Sequence, residues 1–87
     1  MNVNVRFFAA ARAASGVDEL QITLPAAPTL GDLKNFLTST NGPGDSAALA
    51  LVLTRSSYLH NEVATTDEHL RLAEGSTIDV LPPFAGG

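Results

Sequence analysis

The chain has no cysteine and no tryptophan, and Lys34 is the only lysine among its 87 residues. The absence of cysteine excludes a disulfide framework and any thiol chemistry on this chain. Two histidines, His60 and His69, stand without neighbouring ligands at metal spacing. We therefore expect no metal site and no bound cofactor.

Basic residues are also scarce, and the formal net charge is −4. Nucleic-acid binding needs a concentrated basic surface, because its affinity comes largely from phosphate neutralisation. The basic residues here are scattered and form no run: Arg6, Arg12, Lys34, Arg55 and Arg71. This pattern argues against a nucleic-acid ligand and favours protein partners of complementary charge.

Long hydrophobic runs are missing as well. The longest one, Ala47 to Leu53, falls far short of the ~20 residues that cross a membrane. The first residues, Met1 to Arg6, do not follow the layout of a signal peptide. We therefore expect a cytoplasmic protein with no membrane attachment.

The first part of the chain favours two strands joined through a short helix. Apolar and polar residues alternate over Asn2 to Phe8 and again over Leu20 to Leu24, which is typical of half-buried strands. Between them, Ala9 to Ser15 is rich in alanine and is followed by Gly16, which favours a helix and its end. The two strands are expected to form a wide hairpin.

The middle of the chain favours helices. Thr29 and Asp32 resemble a capping pair, and apolar residues at helical spacing predict the main helix over Leu30 to Thr38. Asn41 to Gly44 breaks it. A second, short helix is possible over Asp45 to Thr54, although its apolar run is too continuous for periodicity to decide.

The last third favours strands at its two ends. A short strand is predicted over Tyr58 to His60, followed by an irregular segment over Val63 to Leu72. The last strand is predicted over Thr77 to Leu81, because Ile78 and Val80 alternate with polar residues.

This order of elements indicates an α+β fold in which a helix packs across one face of a mixed sheet. A ubiquitin-like β-grasp satisfies the order, with the first and last strands side by side and parallel at the sheet centre. We predict a β-grasp domain over residues 1–82 and a flexible tail over residues 83–87.

The tail combines a stiff base with a thin tip. Pro82 and Pro83 hold the backbone extended, whereas Gly86 and Gly87 have no side chains and can pass through a narrow tunnel. ATP-dependent adenylation of the terminal carboxylate, followed by a sulfur nucleophile, would give a thiocarboxylate without any catalytic side chain on this chain. Gly87 is the predicted reacting residue and Gly86 is needed for passage; an inert, mobile terminus is the alternative.

Three stretches resemble the MoaD-type small subunit of molybdopterin synthase, in the MoaD/ThiS sulfur-carrier family. They are Val5 to Arg12, Pro28 to Leu33, and Gly75 through the Pro-Pro-Phe-Ala-Gly-Gly end. The resemblance implies that a MoeB-type E1-like enzyme adenylates Gly87 with ATP and that a sulfur donor enzyme supplies the thiocarboxylate sulfur. A MoaE-type large subunit would then receive the tail, and the sulfur would pass to the cyclic pyranopterin precursor of molybdopterin.

The residues around the tail also predict a docking surface for partners. Phe7 and Phe8 are expected on opposite faces of the first strand, with one in the core and Phe8 on the docking surface. Arg12 would pair with an acidic partner or remain solvated, and Phe84 would anchor in a partner or fold back onto this chain. The predicted partner-binding residues are Phe8, Arg12, Leu81, Pro82, Pro83, Phe84 and Ala85.

Other functions use the same Gly-Gly end. Sulfur carriers for thiamine synthesis (ThiS type) or cysteine synthesis (CysO type) share it but differ at the start of the chain. A ubiquitin-like modifier would instead join Gly87 to lysines of other proteins. With Lys34 as the sole lysine, chain building on this protein is not expected.

Overall fold

The computed structural model describes residues 1–83, which form five strands and three helices. In chain order these are β1 (Asn2–Phe7), α1 (Ala9–Ser15), β2 (Glu19–Thr23), α2 (Leu30–Leu37), α3 (Ser46–Arg55), β3 (Ser57–His60), β4 (Val63–Thr65) and β5 (Ser76–Leu81). No helix in this part of the chain is long and apolar enough to cross a membrane.

The strands form one mixed sheet in the order β2-β1-β5-β3-β4. The central strands β1 and β5 pair in parallel, and every other neighbouring pair is antiparallel. The parallel register runs from Val3 opposite Ser76 to Phe7 opposite Val80. The predicted β-grasp, with its first and last strands side by side at the centre, is confirmed.

The helix boundaries follow local hydrogen bonds. At the start of α2, the backbone N–H of Asp32 donates to Thr29 Oγ1 at 3.1 Å, and that of Thr29 donates to the Asp32 carboxylate at 2.9 Å. This reciprocal pair satisfies amides that the first turn leaves free. Asp45 is the N-cap residue of α3, and its carboxylate accepts hydrogen bonds from the backbone amides of Ala47 and Ala48.

One face of the sheet and the three helices share a single apolar core. Its strand members alternate along the chain, as the sequence predicts, and its helix members lie on the inward faces of α1, α2 and α3. The buried apolar residues are Val3, Val5, Phe7, Ala11, Ile22, Leu24, Leu30, Leu33, Leu37, Leu49, Leu53, Tyr58, Leu72, Ile78 and Val80.

The prediction of an irregular segment was wrong at its start, where Val63–Thr65 forms the edge strand β4. It pairs antiparallel with β3 through a turn at Asn61 and Glu62. Both turn residues have positive φ, 47° and 72°. Two-residue hairpins usually meet this requirement with Asn-Gly or Asp-Gly, so glutamate at the second position hid the signal.

The possible helix after the breaker is confirmed and has ten residues, against eight in α2. α2 ends at Leu37, one residue before the predicted end. β1 ends at Phe7, and Phe8 becomes the N-cap residue of α1.

The core assignment predicts different costs for two leucines on neighbouring helices. Leu33 is 1% exposed and Leu51 is 70% exposed. Leu33→Ala should lower the free energy of unfolding by about 2–5 kcal/mol, because it removes packing and leaves a cavity. Leu51→Ala should change it by less than about 0.5 kcal/mol. Urea unfolding measures both, and equal losses would contradict the assignment.

Candidate functional site

The base of the tail lies where the two central strands end. β5 ends at Leu81, Pro82 is half-buried and Pro83 is exposed. Because β1 runs parallel to β5, its carboxyl end lies beside the same point. Phe84, Ala85, Gly86 and Gly87 lie outside the described residues, so the predictions for them remain predictions.

Phe8 lies on the sheet face away from the core. Its backbone is extended, with φ −124° and ψ 152°, so the alternation of β1 continues through it. Phe7 is 2% exposed and Phe8 is 41% exposed, which confirms the predicted division between core and surface. The register continues from Phe7 and Val80 to Phe8 beside the half-buried Leu81.

The face of the sheet that carries Phe8 and Leu81 is called the open face here. One row of residues crosses the middle of this face from strand to strand. The strand registers give its order as Leu59 on β3, Asp79 on β5, Arg6 on β1 and Glu19 on β2. Leu59 is half-buried and lies on the same face as Leu81. It therefore adds a third apolar side chain to the predicted patch, which the sequence analysis missed because its strand is only four residues long.

A bidentate ion pair occupies the middle of the open face. Arg6 Nε donates to Asp79 Oδ1 at 2.6 Å, and Arg6 Nη2 donates to Asp79 Oδ2 at 2.8 Å. Side-chain exposure is 42% for Arg6 and 6% for Asp79. The hydrogen bond to Asp79, and next its charge, raise the pKa of Arg6 above its ordinary value. The pair thus neutralises a buried carboxylate between the apolar side chains.

Arg12 makes an ion pair within this chain, from its Nε to the carboxylate of Asp18. Both side chains are largely exposed, at 62% and 73%. Exposed pairs of this kind contribute little to stability. The predicted contact of Arg12 with an acidic partner stays a prediction, and it would compete with Asp18.

A shallow groove flanks the tail base on the helical side of the molecule. It measures about 270 Å³ and is lined by Ala10, Leu51, Val52, Arg55, Pro82 and Pro83. The sequence analysis named only the two prolines. The apolar run of α3 could have indicated the groove residues on this helix. A helix that buries Leu49 and Leu53 turns Leu51 toward the surface.

The remaining polar candidates have structural partners. His60 Nε2 lies 3.2 Å from Ser76 Oγ, and the Asp67 carboxylate accepts the backbone amide of His69 at 2.9 Å. Within residues 1–83 no group of three His, Asp or Glu side chains is arranged to hold a metal ion. Burial, with a contribution from the charge of Glu68, raises the pKa of Tyr58 to about 12.

A mixed sheet with parallel first and last strands and helices on one face defines a ubiquitin-like β-grasp protein, and the sequence after its last strand ends in Gly-Gly. The model of the ThiS family matches residues 5–87. The chain therefore belongs to the ThiS family, and its resemblance to MoaD-type ubiquitin-like sulfur carriers is confirmed. No curated protein matches the chain.

Solved structures agree with the fold. SAMP1 from Haloferax volcanii is 21% identical over the whole of both chains, with a TM-score of 0.81. The small archaeal modifier protein 1 from Methanosarcina acetivorans is 23% identical, with 99% and 96% of the two chains covered and a TM-score of 0.78. A chain in the complex of subunits 1 and 2 of molybdopterin-converting factor from Helicobacter pylori is 25% identical over both full lengths, with a TM-score of 0.69.

The Arg6–Asp79 pair predicts an asymmetric response to substitution. Arg6→Met should lower the urea midpoint more than Asp79→Asn. Without Arg6 the buried Asp79 carboxylate has no partner for its charge, whereas Arg6 without Asp79 can turn to solvent. The double variant should recover part of the loss seen with Arg6→Met alone. Equal losses in the single variants, with strict additivity in the double, would contradict this role.

Proposed function

We propose that this chain is the sulfur-carrying small subunit of a molybdopterin synthase. In this proposal the Gly87 carboxylate attacks ATP on a MoeB-type adenylyltransferase, pyrophosphate leaves, and an acyl adenylate forms. The persulfide of a donor enzyme then attacks the same carbonyl carbon and AMP leaves, which gives an acyl disulfide. A thiol cleaves this acyl disulfide, releasing the thiocarboxylate and forming a disulfide with the donor's sulfur. The resulting thiocarboxylate passes its sulfur to the pyranopterin precursor inside a MoaE-type large subunit.

The observation that carries the proposal is a family match that runs through the Gly-Gly end to residue 87. The fold places the base of that end beside the two central strands, since β5 is a central strand and Pro83, two residues after it, is exposed. The Helicobacter pylori structure, at 25% identity over the full length, is a complex of two molybdopterin-converting subunits. It supports a large subunit as partner.

The surfaces around the tail base suit such a partner. Phe8, Leu59 and Leu81 form an apolar patch on the open face, and the groove lined by Pro82 and Pro83 lies on the helical side of the molecule. Both surfaces adjoin the base of the tail, so a partner that contacts either of them lies beside that base. In protein interfaces a few well-packed, desolvated residues near the centre carry most of the binding energy, and a patch of this kind can supply part of such a centre.

A ubiquitin-like protein modifier is the second candidate. Archaeal modifier structures share the fold of this chain, with TM-scores of 0.81 and 0.78, and an activated Gly-Gly end serves a modifier as well as a carrier. Their identities of 21% and 23% support the fold alone. Sulfur carriage for thiamine or cysteine synthesis also uses this tail, and the growth requirements of a deletion strain separate those pathways.

The carrier chemistry predicts a change in intact mass. After incubation with ATP, a MoeB-type adenylyltransferase and a sulfur source, the mass should rise by the difference between one sulfur and one oxygen atom. The change should map to Gly87. A chain that ends at Gly86 tests whether Gly87 must be the last residue. Gly86→Ala tests whether the tail must pass through a narrow tunnel of a partner, because the added Cβ makes the tail wider.

Three outcomes of that experiment discriminate the candidates. A thiocarboxylate that yields molybdopterin with a large subunit supports the proposal. A thiocarboxylate without molybdopterin moves the function to another sulfur pathway. Covalent attachment to lysines of other proteins, abolished by removing Gly86 and Gly87, favours the modifier.

The patch on the open face predicts where a large subunit binds. Leu59→Glu and Leu81→Glu should each weaken binding about fivefold or more, the effect of losing roughly 1 kcal/mol from an apolar anchor. Val63→Glu is the matched control, because Val63 is 67% exposed on the edge strand and pairs with His60, outside the patch. Titration calorimetry measures the affinities after urea unfolding has verified each fold. Equal effects at all three positions would contradict docking at this patch.

A further inference from the structure

An activated C-terminus creates a chemical problem for the protein that carries it. On the proposed function, the Gly87 carbonyl becomes an acyl adenylate, which any accessible amine or thiolate can attack. The chain has no cysteine, so no thiolate of its own competes. Its only lysine, Lys34, is therefore the side chain that decides whether the activated end can form a stable amide with another copy or with itself.

Lys34 is held against two other segments of the chain. Its Nζ donates to Glu68 Oε2 at 3.2 Å and lies 5.1 Å from the centroid of the Tyr58 ring. The Lys34 side chain is 23% exposed. An ammonium group in this position gains from both the carboxylate and the aromatic face. We refer to Glu68 and Tyr58 together as the Lys34 clamp.

The clamp is fixed by contacts that are independent of Lys34. The Tyr58 hydroxyl donates to the backbone oxygen of Leu53 at 2.8 Å, and Tyr58 is 3% exposed. The segment carrying Glu68 is tied to the start of α2, where the Gly31 amide donates to the Glu68 backbone oxygen at 2.9 Å. A Cβ at Gly31 would lie 3.1 Å from that oxygen, so glycine permits the close approach.

The other cationic side chains do not offer a nucleophile. They are all arginines, whose guanidinium groups stay protonated and do not act as amines. Arg12, Arg55 and Arg71 are exposed, so arginine occupies the accessible cationic positions and lysine the clamped one. The Met1 amino group donates to the Leu24 backbone oxygen at 2.7 Å and is partly buried.

We propose that the Lys34 clamp directs the activated Gly87 carbonyl to nucleophiles of partner proteins by withholding the only lysine of this chain. In the reaction that the clamp suppresses, neutral Nζ bonds to the carbonyl carbon, the bond to AMP breaks, AMP leaves with its electron pair, and the amine proton goes to solvent. The proposal holds for a sulfur carrier and for a modifier, and in the second case conjugates carry a single copy without chains.

The clamp itself is tested by acylation of the purified full-length chain with an N-hydroxysuccinimide ester of acetate. Peptide mapping gives the rate at Lys34 separately from Met1. The matched control is Ala13→Lys, because residue 13 is exposed on α1. Lys34 should react about fivefold more slowly than the introduced lysine, and Glu68→Gln should raise its rate. Equal rates at the two lysines, or no change in Glu68→Gln, would overturn the clamp.

The consequence for the activated end is tested without any activating enzyme, so the result does not depend on the proposed function. The chain is prepared with a C-terminal thioester of mercaptoethanesulfonate on Gly87 and held at high concentration. Wild type and Lys34→Arg should give equally few covalent dimers, whereas Ala13→Lys should accumulate them. Dimers joined through Lys34 in wild type, at the level of Ala13→Lys, would overturn the proposal.

Discussion

The structure depends on the parallel pairing of β1 with β5, the first and last strands in chain order. This pairing joins strands from the two ends of the described chain and makes both of them central, flanked by β2 and β3. Parallel strands need a long crossover, and here α2, α3 and the β3–β4 hairpin lie within it. The core forms because that crossover folds back over one face.

The same pairing builds the candidate site. It places the end of β1, with Phe8, beside the end of β5, with Leu81 and the start of the tail. It also brings Arg6 opposite Asp79, residues 73 positions apart, so that a buried carboxylate on the open face is neutralised. Removing one partner of such a pair would leave the buried Asp79 carboxylate uncompensated, so the two hydrogen bonds from the partly exposed Arg6 matter to the open face.

The C-terminus and the folded body have separate roles in the proposed function. The chain has no cysteine, and its one lysine contacts Glu68 and Tyr58. On the proposed function the terminus carries the chemistry and the folded body serves recognition, through the apolar patch on one side of the tail base and the groove on the other.

The sequence by itself determined the elements whose signals are local. Alternation predicted β1, β2 and β5, and the Thr29–Asp32 pair predicted the start of α2. The Gly-Gly end indicated Gly87 as the candidate reacting residue. Tertiary structure decided what depends on distant neighbours: the strand β4, which needs β3 as a partner, the place of Leu59 on the open face, and the pairing of Arg6 with Asp79. The reason is physical, since periodicity reports which face a residue shares along one element, whereas register and packing between elements are set only when the chain closes on itself.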